Sequence, residues 1–133
     1  LTSLDTKRKV DAEIEPGISL AGSEDHLQQL INNIVSNIRR HTPKSAPVRV
    51  SLKASGKKVT IVFEDGGPGL SEDAYRRGIE SFERFDAFAS RQNGGSGLGM
   101  TIMRTIVRNH EGKIKLSASG ALGGLRTEIQ LPR

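Results

Sequence analysis

An apolar strand that stops in a glycine-rich turn organises this chain: Val59-Thr60-Ile61-Val62-Phe63-Glu64-Asp65-Gly66-Gly67-Pro68-Gly69. Residues 59–64 are rich in β-branched and aromatic side chains, which is typical of a strand, and the glycines after Asp65 end it. A second strand-like run, Val48–Ala54, precedes it across the turn Ser55-Gly56-Lys57-Lys58. Two strands joined by so short a glycine-containing turn form an antiparallel hairpin. We therefore predict a hairpin whose second strand carries Asp65 at its end.

Outside this hairpin, hydrophobic spacing predicts three helices and further strands. The first helix begins at a cap, Ser23, and ends at about His41, before Thr42-Pro43. Its predicted core face is Leu27, Leu30, Ile31, Ile34 and Ile38. A short helix runs from Ser71 to near Gly78, and a third from about Leu98 to Asn109. The apolar face of the third is Leu98, Ile102 and Ile106, widened by Met103 and Val107. The remaining predicted extended segments are Val10–Glu15, Ile18–Leu20, Lys113–Ser119 and Leu125–Leu131.

The order of elements, β, α, ββ, α, ββ, predicts an α/β fold: a two-layer α/β sandwich with a mixed, mostly antiparallel sheet and its helices on one face. A chain of 133 residues can bury a core, and we expect one domain over residues 10–133 behind a tail formed by residues 1–9. The absence of Cys excludes disulfides, zinc–thiolate sites and a thiol nucleophile. No apolar run reaches about 18 residues, so we expect a soluble, cytoplasmic domain.

The net charge of +5 suits a phosphate-bearing partner. Because the basic residues are scattered along the chain and only five residues are aromatic, we expect a solvated surface and no nucleic-acid partner.

The first helix carries a polar edge beside its core face. Asn33 and Asn37 are one turn apart, and Arg40 follows on the same edge, roughly 90–150° round from the apolar stripe. Asn is a poor helix former, so two in register suggest a ligand. An amide oxygen suits Mg²⁺, and Arg40 can hold a phosphate oxygen. A solvated polar edge is the alternative explanation of this pattern.

Two glycine-rich segments complete the candidate site. Asp65, at a strand end, can accept a hydrogen bond from an exocyclic amine such as adenine N6, and the glycines beside it let the backbone approach a flat ring. The segment Gly94-Gly95-Ser96-Gly97-Leu98-Gly99 directly precedes a helix, so its N–H groups and the helix dipole favour an anion such as phosphate. Each segment alone can also be a turn or a linker.

Together these segments resemble the ATP-binding domain of two-component sensor histidine kinases, whose Bergerat fold is shared with gyrase, Hsp90 and MutL. Asn33-Ile34-Val35-Ser36-Asn37-Ile38-Arg39-Arg40-His41-Thr42-Pro43 resembles the N box of that family, and Asp65-Gly66-Gly67-Pro68-Gly69 its G1 box. Phe82-Glu83-Arg84-Phe85 resembles the F box, and Gly95-Ser96-Gly97-Leu98-Gly99 the G2 box. The four motifs occur in the family's order, and the resemblance extends from about Val10 to Pro132.

The resemblance implies an ATP-dependent protein histidine kinase domain that binds Mg·ATP and donates its γ-phosphate. Asn37 would be the Mg²⁺ ligand, Asn33 and Arg84 would act in catalysis, and Asp65 would bind the adenine amine. The segment Phe82–Gly94 would be a mobile lid over ATP. The implied nucleotide-binding residues are Asn33, Asn37, Arg40, His41, Asp65, Gly67, Gly69, Arg91, Gly95, Ser96, Gly97, Leu98, Gly99 and Thr127.

Ala87, Leu125 and Ile38, which stands where Ala is frequent, depart from the family's pattern, and Asn33 agrees with the kinases but differs from the ATP-hydrolysing relatives. The ATP-hydrolysing relatives carry a Glu that activates water where this chain has Asn33, and an amide cannot take that proton at neutral pH, which favours phosphoryl transfer over hydrolysis. Ala87 stands where many members carry a lid Arg, which leaves Arg84 and Arg91 as the candidates to reach the γ-phosphate. The last strand of many members carries Thr directly after its Gly, near the adenine. Here Leu125 follows Gly124, and Thr127 lies two residues further on, on the same strand face.

The implied substrate is a histidine on another domain. His26, His41 and His110 lack metal-ligand spacing and do not resemble a phospho-acceptor. We therefore expect an upstream helical hairpin that dimerises and carries the acceptor histidine, and a response regulator downstream. The full-length protein would be a membrane-bound homodimer, and the isolated domain a monomer. Two alternatives stay open: an anti-sigma-type protein serine kinase of the same fold, and a non-catalytic nucleotide-sensing interaction module.

Overall fold

The computed structural model describes residues 9–18, 22, 24–79, 84 and 99–132. Within them lie β1 (Val10–Ile14), α1 (Glu24–His41), β2 (Val48–Ser55), β3 (Lys58–Asp65), α2 (Glu72–Arg77), α3 (Gly99–Asn109), β4 (Lys113–Ala118) and β5 (Leu125–Pro132). Of the predicted extended piece Ile18–Leu20, Ile18 has no regular secondary structure, and residues 19 and 20 lie outside the described residues. The predicted cap Ser23 also lies outside them.

The strands form one mixed sheet in the order β1-β2-β3-β5-β4. β1 runs parallel to β2, whereas the β2–β3, β3–β5 and β4–β5 pairs are antiparallel. The hairpin register pairs Ser55 with Lys58, so Gly56 and Lys57 make the turn, with Gly56 at a positive φ of 59°. This arrangement confirms the predicted hairpin and the mostly antiparallel sheet, and it places the last strand, β5, beside β3.

The two faces of the sheet differ in chemistry. On one face Phe63 of β3 lies between Val50 and Thr127, and all three side chains are buried. The opposite face is charged: Arg49 pairs with Asp11 at 3.8 Å, and Arg126 with Glu64 at 3.8 Å. Because the core cluster joins residues of α1 and α3 to the first face, the helices cover that face, which confirms the two-layer α/β sandwich.

The first helix buries the stripe that its periodicity predicts. Leu30, Ile34 and Ile38 are buried in α1, and Leu27 and Ile31 pack partly buried against them. The helix ends where the N–H and hydroxyl of Thr42 both donate to the carbonyl of Ile38, at 3.1 and 2.6 Å. Proline at the next position cannot extend the helical ladder, so the boundary is local in origin.

The third helix presents a somewhat different face from the predicted one. Met100, Met103, Ile106 and Val107 are buried, whereas Ile102 is only partly buried and Leu98 lies outside the described residues. The buried face is centred closer to Met103 because α3 packs against α1 as well as the sheet, and the two flexible methionines fill the space between them. No described helix has the length and apolar character needed to cross a membrane.

Candidate functional site

The carboxylate of Asp65 is the most constrained polar group at the end of β3. Its side chain is only 5% exposed. Its Oδ1 accepts hydrogen bonds from the backbone N–H of Gly67 at 3.0 Å and of Leu125 at 3.2 Å. No described residue donates to Oδ2. Oδ2 is therefore the oxygen of this carboxylate that is available to accept a hydrogen bond from a ligand.

Asn37 connects α1 to α3 through its side-chain amide. Its Oδ1 accepts a hydrogen bond from Nη2 of Arg40 at 2.8 Å. Its Nδ2 points at two thioethers, 3.5 Å from Sδ of Met103 and 3.8 Å from Sδ of Met100. Because a guanidinium has only donors and a thioether is only a weak acceptor, this orientation of the amide is the one that the surroundings favour.

Asn33, one turn earlier on the same edge of α1, has different surroundings. Its Nδ2 is buried and has no hydrogen-bond partner among the described residues. Asn33 also lines neither of the two cavities around Asp65. A buried amide donor without an acceptor suits a ligand that offers an oxygen atom.

Two adjoining cavities meet at Asp65. The smaller, of about 20 Å³, has room for roughly one water molecule and is lined by Ile34, Asn37, Ile38, His41, Phe63, Asp65, Met100, Met103, Leu125 and Thr127. The larger, of about 130 Å³, is lined by His41, Thr42, Asp65, Pro68, Gly69, Leu70 and Leu125. Both cavities therefore share His41, Asp65 and Leu125. The smaller cavity alone has no room for a purine base.

The structure brings several of the predicted site residues together. Asn37 and His41 from α1, Asp65 from β3 and Thr127 from β5 line the smaller cavity, and Gly69 lines the larger. Gly67 contributes the N–H bound to Asp65, and Arg40 the donor bound to Asn37. Gly99 begins α3, and Arg84 is helical and exposed. The others, Arg91, Gly95, Ser96, Gly97 and Leu98, lie outside the described residues, as does the proposed lid apart from Arg84.

The sequence pattern did not indicate that Met100 and Phe63 line a cavity, and it indicated Met103 only as core. Leu125 was expected near the adenine only as the residue that stands where the family often has Thr. Met100 and Met103 are three residues apart on one face of α3, which was a local signal for packing. Their position opposite Asn37 depends on how α3 packs on α1, and spacing within either helix does not reveal it.

The donor set bears on whether Mg²⁺ fits here. No group of three or more His, Cys, Asp and Glu side chains within the described part of the chain can hold a metal ion. Mg²⁺ in nucleotide sites keeps several waters and takes only one or two protein oxygens besides the substrate phosphates. The amide oxygen of Asn37 is a metal ligand of that kind, so the residues present fit a Mg²⁺ ion that binds together with a nucleotide.

Most of this chain is similar to known proteins. Residues 22–133 match the family described as histidine kinase-, DNA gyrase B-, and HSP90-like ATPase. The signal transduction histidine-protein kinase BaeS of Escherichia coli (strain K12) is 34% identical over 124 residues, which are 93% of this chain and 26% of BaeS. The sensor-like histidine kinase SenX3 of Mycolicibacterium smegmatis is 32% identical over 118 residues, 89% of this chain and 31% of SenX3. The chain thus spans about a quarter to a third of the length of these curated relatives.

Solved structures show the same fold. The mycobacterial sensor histidine kinase MprB has a TM-score of 0.80 at 23% identity, covering 98% of this chain and 87% of that one. The ATP binding domain of PrrB from Mycobacterium tuberculosis has a TM-score of 0.63 at 25% identity, covering 92% of this chain and 79% of that one. These likenesses agree with the two-layer sandwich predicted from the order of elements.

Proposed function

The chain belongs to the family of histidine kinase-, DNA gyrase B- and HSP90-like ATPases, as an ATP-binding domain of the sensor histidine kinase type, and we propose that it binds Mg·ATP and supplies the γ-phosphate to a histidine side chain of another domain. One observation carries this proposal. Asn37, Asp65 and Thr127, which come from three separate elements, line one cavity, and none of the described residues donates a hydrogen bond to Oδ2 of Asp65.

The adenine end of the proposed site uses Asp65. Adenine N6 donates hydrogen bonds and adenine N1 accepts one, so a carboxylate oxygen selects adenine over a purine with a carbonyl at C6. Thr127, buried on β5 beside Phe63, lines the same cavity and adds a hydroxyl that can donate or accept. The two backbone N–H groups on Oδ1 leave Oδ2 as the oxygen for the amine.

The phosphate end uses the polar edge of α1. Asn37 would hold Mg²⁺ through Oδ1, and Mg²⁺ when bound neutralises charge on the phosphates. Arg40 adds a guanidinium next to Asn37, and the buried Nδ2 of Asn33 adds a donor for an oxygen atom. The roles that the motifs imply for Arg84, Arg91 and residues 95–99 stay predictions.

The proposed reaction transfers phosphate and does not hydrolyse ATP. Asn33 stands where a hydrolytic relative would have its base, and an amide does not accept a proton near neutral pH. Catalysis then consists of positioning the nucleotide and neutralising its charge for an incoming nucleophile. An imidazole is such a nucleophile, because its neutral form carries a lone pair at physiological pH.

The partners proposed for this domain belong to the rest of a longer protein. Because the chain spans only 26% of BaeS, an upstream helical hairpin that dimerises and carries the acceptor histidine is proposed to complete the kinase. We further propose a membrane-anchored homodimer with this domain in the cytoplasm, and a response regulator that takes the phosphate onward. The relatives reported above are named as histidine kinases and give no support to the anti-sigma-type serine kinase.

The test is phosphotransfer with the full-length protein. Incubation with ATP labelled on the γ-phosphate should give acid-labile, base-stable phosphate on the protein, which is the behaviour of phosphohistidine. Acid-stable phosphoserine on a partner would instead support the serine kinase alternative. ATP binding in a calorimetric titration without any transfer would support the nucleotide-sensing module.

A further inference from the structure

Gly124 lies where β5 begins, in direct contact with Asp65. Its backbone N–H donates to the backbone carbonyl of Asp65 at 3.0 Å, and the next N–H, that of Leu125, donates to Asp65 Oδ1. A β-carbon built on Gly124 would overlap both Oδ1 and the carbonyl oxygen of Asp65, and it would lie 2.8 Å from the backbone nitrogen of Gly67. Only a residue without a side chain fits here while Asp65 keeps its observed position.

The atoms that such a β-carbon meets cannot retreat easily. Two of them are backbone atoms, and the third, Oδ1, accepts hydrogen bonds from Gly67 and Leu125. Moving Oδ1 away breaks those bonds and turns the carboxylate, which also moves Oδ2. The side chain at position 124 is therefore linked to the direction in which Oδ2 points.

The turn that presents Gly124 is itself fixed by Ser119, which is buried. Its hydroxyl accepts from the N–H of Leu122 at 3.0 Å and donates to Glu64 Oε1 at 3.1 Å, and its N–H donates to the carbonyl of Gly124 at 2.7 Å. Hydrogen bonds thus hold the turn between β4 and β5 to two adjacent residues of β3, to Glu64 through Ser119 and to Asp65 through Gly124.

We propose that Gly124 is a positioning residue that determines base selectivity: its missing side chain lets the β4–β5 turn hold the Asp65 carboxylate so that Oδ2 recognises an exocyclic amine. This inference rests on the proposed function, because it assigns to Asp65 the adenine amine of ATP. Gly124 touches Asp65 and not the reacting atoms, so its effect is on selectivity among purine nucleotides.

The experiment compares ATP with purine riboside triphosphate, which has hydrogen in place of the amine. Calorimetric titration of the wild-type protein should give an ATP affinity about 10- to 100-fold higher than that for the analogue. Gly124→Ala should lower this ratio by about tenfold while the affinity for the analogue changes less than about threefold. A purely structural loss would lower both affinities together and leave the ratio unchanged.

Two glycines of the same turn provide matched controls. Gly120→Ala places its β-carbon in open space, and Gly123→Ala strains a backbone at φ +87° without meeting any atom within 4 Å. Both should keep the wild-type ratio, and Gly123→Ala should also lower the melting temperature. An altered ratio in Gly123→Ala would overturn the inference, because turn strain alone would then account for the effect.

A milder variant covers the case in which Gly124→Ala does not fold. Ser119→Ala removes the hydroxyl that ties the turn to Glu64, and it should lower the ratio about two- to threefold. A wild-type ratio in the folded variant, Gly124→Ala or Ser119→Ala, overturns the positioning role alone. Wild-type protein that does not bind ATP contradicts the proposed function instead. Wild-type protein that binds both nucleotides equally contradicts the assignment of Asp65 to the adenine amine, on which the inference rests.

Discussion

Replacing Asp65 by Asn tests base recognition with almost no change of shape. Oδ1 of Asp65 faces two N–H donors, from Gly67 and Leu125. The amide of Asn must therefore place its own oxygen there, because the flipped amide would set its NH₂ group against both donors. The NH₂ group then occupies the position of Oδ2 and faces the adenine amine, donor against donor.

The expected loss follows from this fixed orientation. A hydrogen bond to a charged group contributes about 1.5–3 kcal/mol, and a buried donor left facing another donor adds to the cost. We expect Asp65→Asn to weaken ATP binding by about 2–3 kcal/mol, which is about 30- to 150-fold in Kd. Relaxation by amide flipping, which would soften the loss in an open site, costs two backbone hydrogen bonds here.

Calorimetric titration of the wild-type and Asp65→Asn proteins with ATP and purine riboside triphosphate measures this directly. The analogue, which lacks the amine, should bind both proteins within about threefold. A thermal melt of each protein without nucleotide controls for loss of structure. An unchanged ATP affinity in a folded Asp65→Asn protein would refute the adenine assignment, and an equal loss for both nucleotides would refute the orientation argument.

Three further substitutions probe the metal site, the core and a helix cap. Asn37→Ala should weaken ATP binding about tenfold in the presence of Mg²⁺ and much less in EDTA, whereas equal losses in both titrations would mean that Asn37 is structural. Leu30→Ala removes a fully buried side chain and should lower the free energy of unfolding in urea by about 2–5 kcal/mol, against less than about 0.5 kcal/mol for the exposed neighbour Gln29→Ala. Ser71→Ala removes the hydroxyl that accepts a hydrogen bond from the N–H of Ala74 at 3.1 Å, and it should lower the free energy of unfolding in urea by about 1 kcal/mol. An unchanged free energy of unfolding would mean that α2 does not unfold together with the rest of the domain.

The elements predicted best are those with local causes. The first helix was predicted to end at about His41 because Thr42-Pro43 cannot continue a helix, and α1 ends at His41. The hairpin was predicted from a short turn between two apolar runs, and the observed strand register leaves Gly56 and Lys57 as the turn residues. In each case the information lies within a few residues of the boundary.

The features that were not predicted depend on contacts between distant segments. Nothing in the spacing of β5 indicates that it inserts between β3 and β4, although that insertion brings Gly124 and Thr127 to Asp65. The same holds for Met100 and Met103, whose role beside Asn37 appears only once α3 lies on α1. The motif resemblance identified Asp65 and Asn37 as site residues without these contacts. It does not show which contacts fix the orientation of their side chains.

The groups around the cavities also bear on which acceptor the site suits. Asp65 is the one carboxylate that lines the two cavities in the described part of the chain, and its oxygens are committed to backbone N–H groups and, as proposed, to adenine. His41 borders the same cavities, about two turns of helix from Asn33, at the adenine end of the proposed site.

Water and a serine hydroxyl both need a base to become effective nucleophiles, and the polar edge of α1 has an amide, Asn33, at the position of that base. A neutral imidazole brings its own lone pair and needs no such base. The chemistry of the described residues therefore supports the proposed histidine acceptor over serine and over water.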